Sequence, residues 1–329
     1  QHFRRIARVF PDFDDFLPYR KPPGLIDIQP GYALDDRPGS ITDDTYIRAD
    51  LSSYVIETQP PYTAPDFAQW LLQNADFSNW WSVAVDVLKR IKTSELNAED
   101  AGLSHVQGGG GGWWQPVAVL NAGRPAAAAA LTAELCRIWK APLEQDILSA
   151  VVAGQAAVFA EGATIDSIVN AILAYSGPLA SRLFERAVTI AQSAQTTDQL
   201  YEQLYAHCLV ETCTTSIDGD LPPVVTPLPY TDDFYNGILF AEQQPLALAY
   251  FVFGQGDPYR TVLTAVKGGR DADSIATNTA SWLGAMSGTS IWPQHWLDQV
   301  QRVNIERLNL MQLATNLAHR AVQLGNISS

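Results

Sequence analysis

The stretch Asp271-Ala272-Asp273-Ser274-Ile275-Ala276-Thr277-Asn278-Thr279-Ala280-Ser281-Trp282-Leu283-Gly284-Ala285-Met286-Ser287 places Ile275, Thr279, Trp282 and Met286 at i, i+4, i+7 and i+11, along one face of an α-helix. The same period recurs far upstream. Ile47, Leu51, Tyr54 and Val55 fall at i, i+4, i+7 and i+8, behind Thr42 as N-cap, with Asp43 and Asp44 in a first turn where carboxylates suit the helix dipole. That helix is expected to end before Pro60-Pro61. Further helices are expected over 65–74, 79–92, 125–140, 143–160 and 165–175 (Thr164 as cap), then 178–193 and 199–208 (Thr196 and Gln199 as a capping box). The remaining ones are 234–253, bent at Pro245, then 258–266, 271–287 and 293–324. Alternating apolar and polar residues are nearly absent, so the expected fold is all-α: one compact multi-helix bundle spanning 1–329, behind an irregular, proline-rich segment over 1–40.

Composition narrows the function. Among 329 residues, 21 are Lys or Arg and 35 are Asp or Glu, a net charge of −14. Such a balance argues against nucleic acid and against an anionic membrane surface as partners. No run of about 18 apolar residues exists to span a bilayer. The three cysteines, Cys136, Cys208 and Cys213, make no disulfide framework and suit a reducing compartment, so a cytoplasmic location is expected. Cys208 and Cys213 lie beside His207 but have no second pair to complete a zinc site, and read as buried thiols.

Two clusters concentrate acid and hydroxyl groups: Thr42-Asp43-Asp44-Thr45, and Asp271-Ala272-Asp273-Ser274 after Lys267-Gly268-Gly269-Arg270. Each opens a helix, and capping alone would use one oxygen-bearing side chain, occasionally two. Crowded carboxylates repel unless a cation neutralises them. If the two helix starts meet, four carboxylates and two hydroxyls can surround hard cations, with Mg²⁺, Mn²⁺ or Ca²⁺ preferred over zinc and two ions about 3.5–4 Å apart. Capping and cation binding both remain open at this level. An EF-hand fails because Ala276 stands where its glycine belongs, and a terpene-cyclase helix fails because Asp43-Asp44 is followed by Asp50 rather than by an acid one turn on. A third feature is the run Gly108-Gly109-Gly110-Gly111-Gly112 before Trp113-Trp114. Its backbone N–H groups can approach a phosphate, or it is a surface loop; no Gly-Lys-Ser/Thr follows to make a Walker motif.

Taken together, Ser40-Ile41-Thr42-Asp43-Asp44-Thr45 and Gly268-Gly269-Arg270-Asp271-Ala272-Asp273-Ser274-Ile275-Ala276 resemble the two hallmark helix starts of the ADP-ribosylglycohydrolase family. The likeness extends through Ile291-Trp292-Pro293-Gln294-His295-Trp296 and covers about residues 38–300. It implies a binuclear Mg²⁺ or Mn²⁺ site with Thr42, Asp43 and Asp44 as one ligand set and Asp271, Asp273 and Ser274 as the other, Ser replacing the commoner Thr. It also implies that Gly108 to Gly112 cradle a diphosphate. The sequence departs from the pattern in three places. It begins at Gln1 and lacks the family's opening Gly-Asp helix with its following Glu, leaving Asp35 and Asp36 as the nearest acids. The mid-chain loop carries glycines and two tryptophans instead of Gly-Asn-Gly. Trp139-Lys140 stand where a His often follows. These changes imply an altered substrate, stacked on Trp113 or Trp114.

The expectation is a metal-dependent hydrolase that cleaves a ribosyl C1 glycosidic bond in an ADP-ribosylated protein or a small ADP-ribosyl or nucleoside compound. Asp44 and Asp273 would be its catalytic carboxylates, and Gly108 to Gly112 with Trp113 its substrate contacts. The alternative is a catalytically silent relative that binds ADP-ribose or serves structurally, as a crystallin does.

Overall fold

A computed structural model describes residues 13–16, 37–104, 111–209 and 240–325. Among them are fifteen α-helices and no strand, as the sequence periodicity requires. In chain order they are α1 (Asp43–Glu57), α2 (Ala64–Asn74), α3 (Ser82–Lys92), α4 (Ala101–Ser104), α5 (Gln115–Leu120), α6 (Pro125–Leu135), α7 (Pro142–Ala157) and α8 (Ile165–Ala174). There follow α9 (Pro178–Ser193), α10 (Thr197–His207), α11 (Phe240–Gly254), α12 (Pro258–Gly268), α13 (Ala272–Ser287), α14 (Gln294–Asn304) and α15 (Leu310–Gln323).

Two helices form the centre. α7 packs against α5, α6, α8, α9, α11 and α13, and α11 against α7, α8, α9, α12 and α13. Their sequences explain this. Residues 147–156 of α7 and 242–253 of α11 are buried without interruption, so both helices are enclosed on every side rather than on one stripe, and apolar residues make up most of each. α1 differs from the one-faced helix expected of it: Ile47, Ala49, Leu51, Ser52, Tyr54 and Val55 are all buried, because α2, α5 and α15 cover it from several sides. The core runs from Ile47 to Ala321, with Trp114, Trp139 and Trp282 its largest fully buried side chains.

Several expected boundaries move, each for a local reason. The helix expected over 125–140 ends at Leu135 and tightens into a 3₁₀ turn, Cys136–Ile138, ahead of Pro142, which opens α7. The helix expected over 293–324 breaks in two. Asn304 is fully buried and spends its side chain on Gly39 O (2.9 Å) and Ile41 N (3.1 Å), and Asn309 restarts the chain by accepting from Gln312 N at 3.1 Å. At α10, Thr196 accepts from Gln199 N at 3.2 Å, but the Gln199 side chain accepts from Gln195 N rather than from Thr196, so the box is half formed. Thr164 and Ser167 do form a complete box on α8.

Candidate functional site

Two helix N-termini meet. Thr42 is the N-cap of α1 and Asp271 that of α13, and neither uses its side chain to cap its helix. Thr63, Thr164, Thr196, Asp257 and Asn309 do use theirs on other helices. Ser274, in the first turn of α13, donates its hydroxyl to Asp44 Oδ2 at 3.0 Å. The carboxylates of Asp44, Asp271 and Asp273 then crowd together. Burial first, and the Asp273 charge second, push the Asp44 carboxyl up to about 6, while Trp113, Arg48 and Ser274 draw it back. The same two causes, in the same order, hold Asp271 well above the ordinary carboxylate range, and it shares a side-chain hydrogen bond with Asp273. Asp273 stands at the exposed rim, Asp44 is buried, and Thr42, Asp43 and Asp271 are half-buried between them.

The first cluster is held from the loop before α5. Trp113 Nε1 donates to Asp44 Oδ1. Arg48, one helical turn past Asp44, donates from Nε to Gly112 O at 2.8 Å. At Gly112 the chain passes beside the cluster: a methyl added there would lie 3.2 Å from Thr277 Cγ2 and 3.4 Å from Asp44 Oδ2. At Gly111 the added carbon would collide with the Gln244 amide.

The second cluster is held by α11 and α12. Tyr201 and Tyr205 donate to Thr264 O (2.7 Å) and Gly268 O (2.5 Å), fixing the end of α12. Gly269 and Arg270 then take left-handed conformations (φ 76° and 63°), turning the chain into Asp271. Arg270 is clamped there by buried Glu242 through two bonds, 2.5 and 2.8 Å. Gln243 donates to Asp271 Oδ2. Deeper still, Gln115 donates to Asn278, and Asn278 to Gln244, both at 3.0 Å, so a chain of buried amides underlies the acids. Lys140 and Glu144 are also buried, with the Lys140 ammonium over the Trp113 ring. Burial lowers the Lys140 ammonium and raises the Glu144 carboxyl to about 8, each opposing the other's shift.

The model of the ADP-ribosylglycohydrolase family matches residues 2–326. The chain belongs to the ADP-ribosylglycohydrolase family. Curated proteins yield no match. The family is one of hydrolases acting on ADP-ribosyl compounds.

In this member of the family the residues expected from sequence fare differently. Asp44, Asp271, Asp273 and Ser274 come together, with Thr42 and Asp43 in the turn beside them. Gly111 and Gly112 lie against the cluster, while Gly108, Gly109 and Gly110 fall outside the described residues, as do Asp35, Asp36 and Cys213. The expectation that Trp113 or Trp114 offers a ring to substrate is corrected. Both are buried, at 2% and 1% exposure, and Trp113 packs its ring edge-on to Trp139 at 5.8 Å. Its apolar area favours the core, and its one polar atom is spent on Asp44. Among the described residues no three His, Cys, Asp or Glu side chains already surround a common point as a metal cage does. No described helix is long and apolar enough to cross a membrane.

Sequence reasoning missed Arg48, Gln115, Glu242, Gln243, Asn278 and Asn304. One signal was available: Glu242-Gln243-Gln244 interrupts the otherwise apolar Phe240–Gly254, and three adjacent polar residues on a buried helix need partners. The others carry no local mark.

Proposed function

We propose that this protein hydrolyses a ribosyl C1 glycosidic bond of an ADP-ribosylated protein or of a small ADP-ribosyl or nucleoside compound, with two Mg²⁺ or Mn²⁺ ions as cofactors. What supports the reading is the Ser274–Asp44 bond, which joins clusters 230 residues apart and draws three carboxylates together. The donor set fits hard divalent cations. It is all oxygen, it carries surplus negative charge at the ends of two helices, and neither Thr42 nor Asp271 is spent on capping. Thr42, Asp43 and Asp44 would hold one ion, and Asp271, Asp273 and Ser274 the other. Bound there, the ions would supply positive charge to ribose hydroxyls and Lewis acidity toward water.

The protein's own groups would do the rest. Asp273, at the solvent rim, accepts a hydrogen bond from the attacking water and aims it at C1, where charge develops as the bond to the leaving group breaks. Asp44 is held at both oxygens, by Trp113 and Ser274, and cannot swing away. Gly111 and Gly112 let the backbone approach the site without side chains in the way.

The experiment is a hydrolysis assay on ADP-ribosylated protein and on small ADP-ribosyl compounds with Mg²⁺ or Mn²⁺, alongside calorimetry with ADP-ribose. Release of the ribosyl product, abolished in Asp273→Asn, is expected. Binding of ADP-ribose without turnover of any substrate would favour the silent relative instead.

A further inference from the structure

Trp113 was expected at the substrate, and the structure puts it behind a carboxylate. Its indole N–H donates to Asp44 Oδ1, while Ser274 occupies Oδ2. The ring itself has no freedom to turn. It is buried at 2% exposure, lies edge-on to Trp139, and has the Lys140 ammonium 5.9 Å from its centroid. Trp139 is in turn anchored, its Nε1 donating to Ala84 O at 3.1 Å. The adjacent Trp114 is equally buried, yet its Nε1 has no hydrogen-bond partner. Two neighbouring tryptophans therefore share size and burial and differ in one bond.

We propose that Trp113 is a positioning residue that fixes the plane and rotamer of the Asp44 carboxylate, so that its free lone pairs face the cation-binding space of this chain. This rests on the cation reading given above. A carboxylate on a helix turn has a broad, two-fold terminal torsion and rotates unless an outside donor sets it. An N–H donor to an ionised oxygen makes a strong, directional bond. Outer partners of this kind orient ligands, and their loss weakens metal affinity 10- to 100-fold.

The test titrates Mn²⁺ by calorimetry into wild type, Trp113→Phe and Trp114→Phe, each first shown to be folded by circular dichroism. Trp113→Phe is expected to weaken Mn²⁺ binding about 10- to 100-fold, and Trp114→Phe to change it less than about twofold. In ¹⁵N-labelled protein, Mg²⁺ should shift the Trp113 indole N–H resonance and leave that of Trp114 in place, the two peaks being assigned by their loss in each variant. Should Trp113→Phe not fold, Trp113→benzothienylalanine keeps the bicyclic ring and deletes only the N–H. Equal loss of Mn²⁺ affinity in both variants would reduce Trp113 to a packing role, and undiminished affinity in Trp113→Phe would remove any role; either result overturns the inference while leaving the cation site intact. Wild-type protein that binds neither ion would overturn the cation reading and this inference with it.

Discussion

Ser274 donates its hydroxyl to Asp44 Oδ2 at 3.0 Å, closing a gap of 230 residues with one bond. Both residues are buried, at 3% and 8% exposure, so the bond is shielded from competing water. It marks where the first turns of α1 and α13 meet, and it explains why two groups of carboxylates that repel one another share one place.

Replacing Ser274 by alanine should strip one oxygen from this junction and leave Asp44 Oδ2 without its donor. Affinity for Mn²⁺, measured by calorimetry, is expected to fall about 10- to 100-fold, with turnover falling alongside. Ser274→Thr keeps the hydroxyl and should recover most of the loss. A Ser274→Ala variant with wild-type affinity would remove Ser274 from the site.

Glu242 and Arg270 form a bidentate pair whose side chains are 0% and 14% exposed. Glu242→Gln removes the buried negative charge that faces the guanidinium next to Asp271. The expected cost is about 3–5 kcal/mol, read as a lowered midpoint in urea unfolding. Because Arg270 sits at a φ of 63°, losing its clamp should also loosen the turn into α13 and weaken cation binding further than Ser274→Ala does.

Arg320, on α15, closes the end of α1. It donates from Nε to Val55 O at 3.1 Å and from Nη2 to Thr58 O, and reaches Gln59 Oε1 at 3.1 Å. It thus satisfies carbonyls that the last turn leaves open. Arg320→Ala should cost about 2–4 kcal/mol by denaturant unfolding, and Arg320→Lys should recover less than half, because an ammonium cannot span several acceptors as the planar guanidinium does.

Asp50 accepts from Trp80 Nε1 at 2.8 Å, and burial first, with smaller contributions from Asp76 and Glu57, pushes its carboxyl from 3.8 up to about 6. The folded protein therefore binds this proton more tightly than the unfolded chain. Its contribution to stability is complete below about pH 4 and is lost as pH rises to about 6. Asp50→Asn, which keeps an acceptor for Trp80, should stabilise the protein by about 1–3 kcal/mol at pH 7 and by nothing at pH 4, measured as the difference in unfolding free energy across that range. A difference that does not vary with pH would contradict this.

The helices were legible because burying one face imposes a 3.6-residue period, which survives in the order of apolar residues; Pro178–Ser193 falls where it was expected. Helix ends were less so. Leu135 and Asn304 end their helices where no glycine or proline follows directly, because tertiary bonds and buried rings there compete with the next turn. Of the candidate site, the acids and hydroxyls could be read from crowding that capping does not need. The role of Trp113 could not. A tryptophan in a core and a tryptophan under a substrate look alike in one dimension, and only the direction of its N–H separates them.

The order of residues by itself determined an all-α chain and two oxygen-rich helix starts, since periodicity and local charge are properties of neighbours along the backbone. Tertiary packing alone decided that Asp44 and Ser274 touch, that Trp113 turns inward, that Gln243 donates to Asp271, and that Glu242 clamps Arg270 beside it. Hydrogen bonds depend on distances of about 3 Å and on angle, and between segments hundreds of residues apart those are set by how helices stack, which no local pattern records.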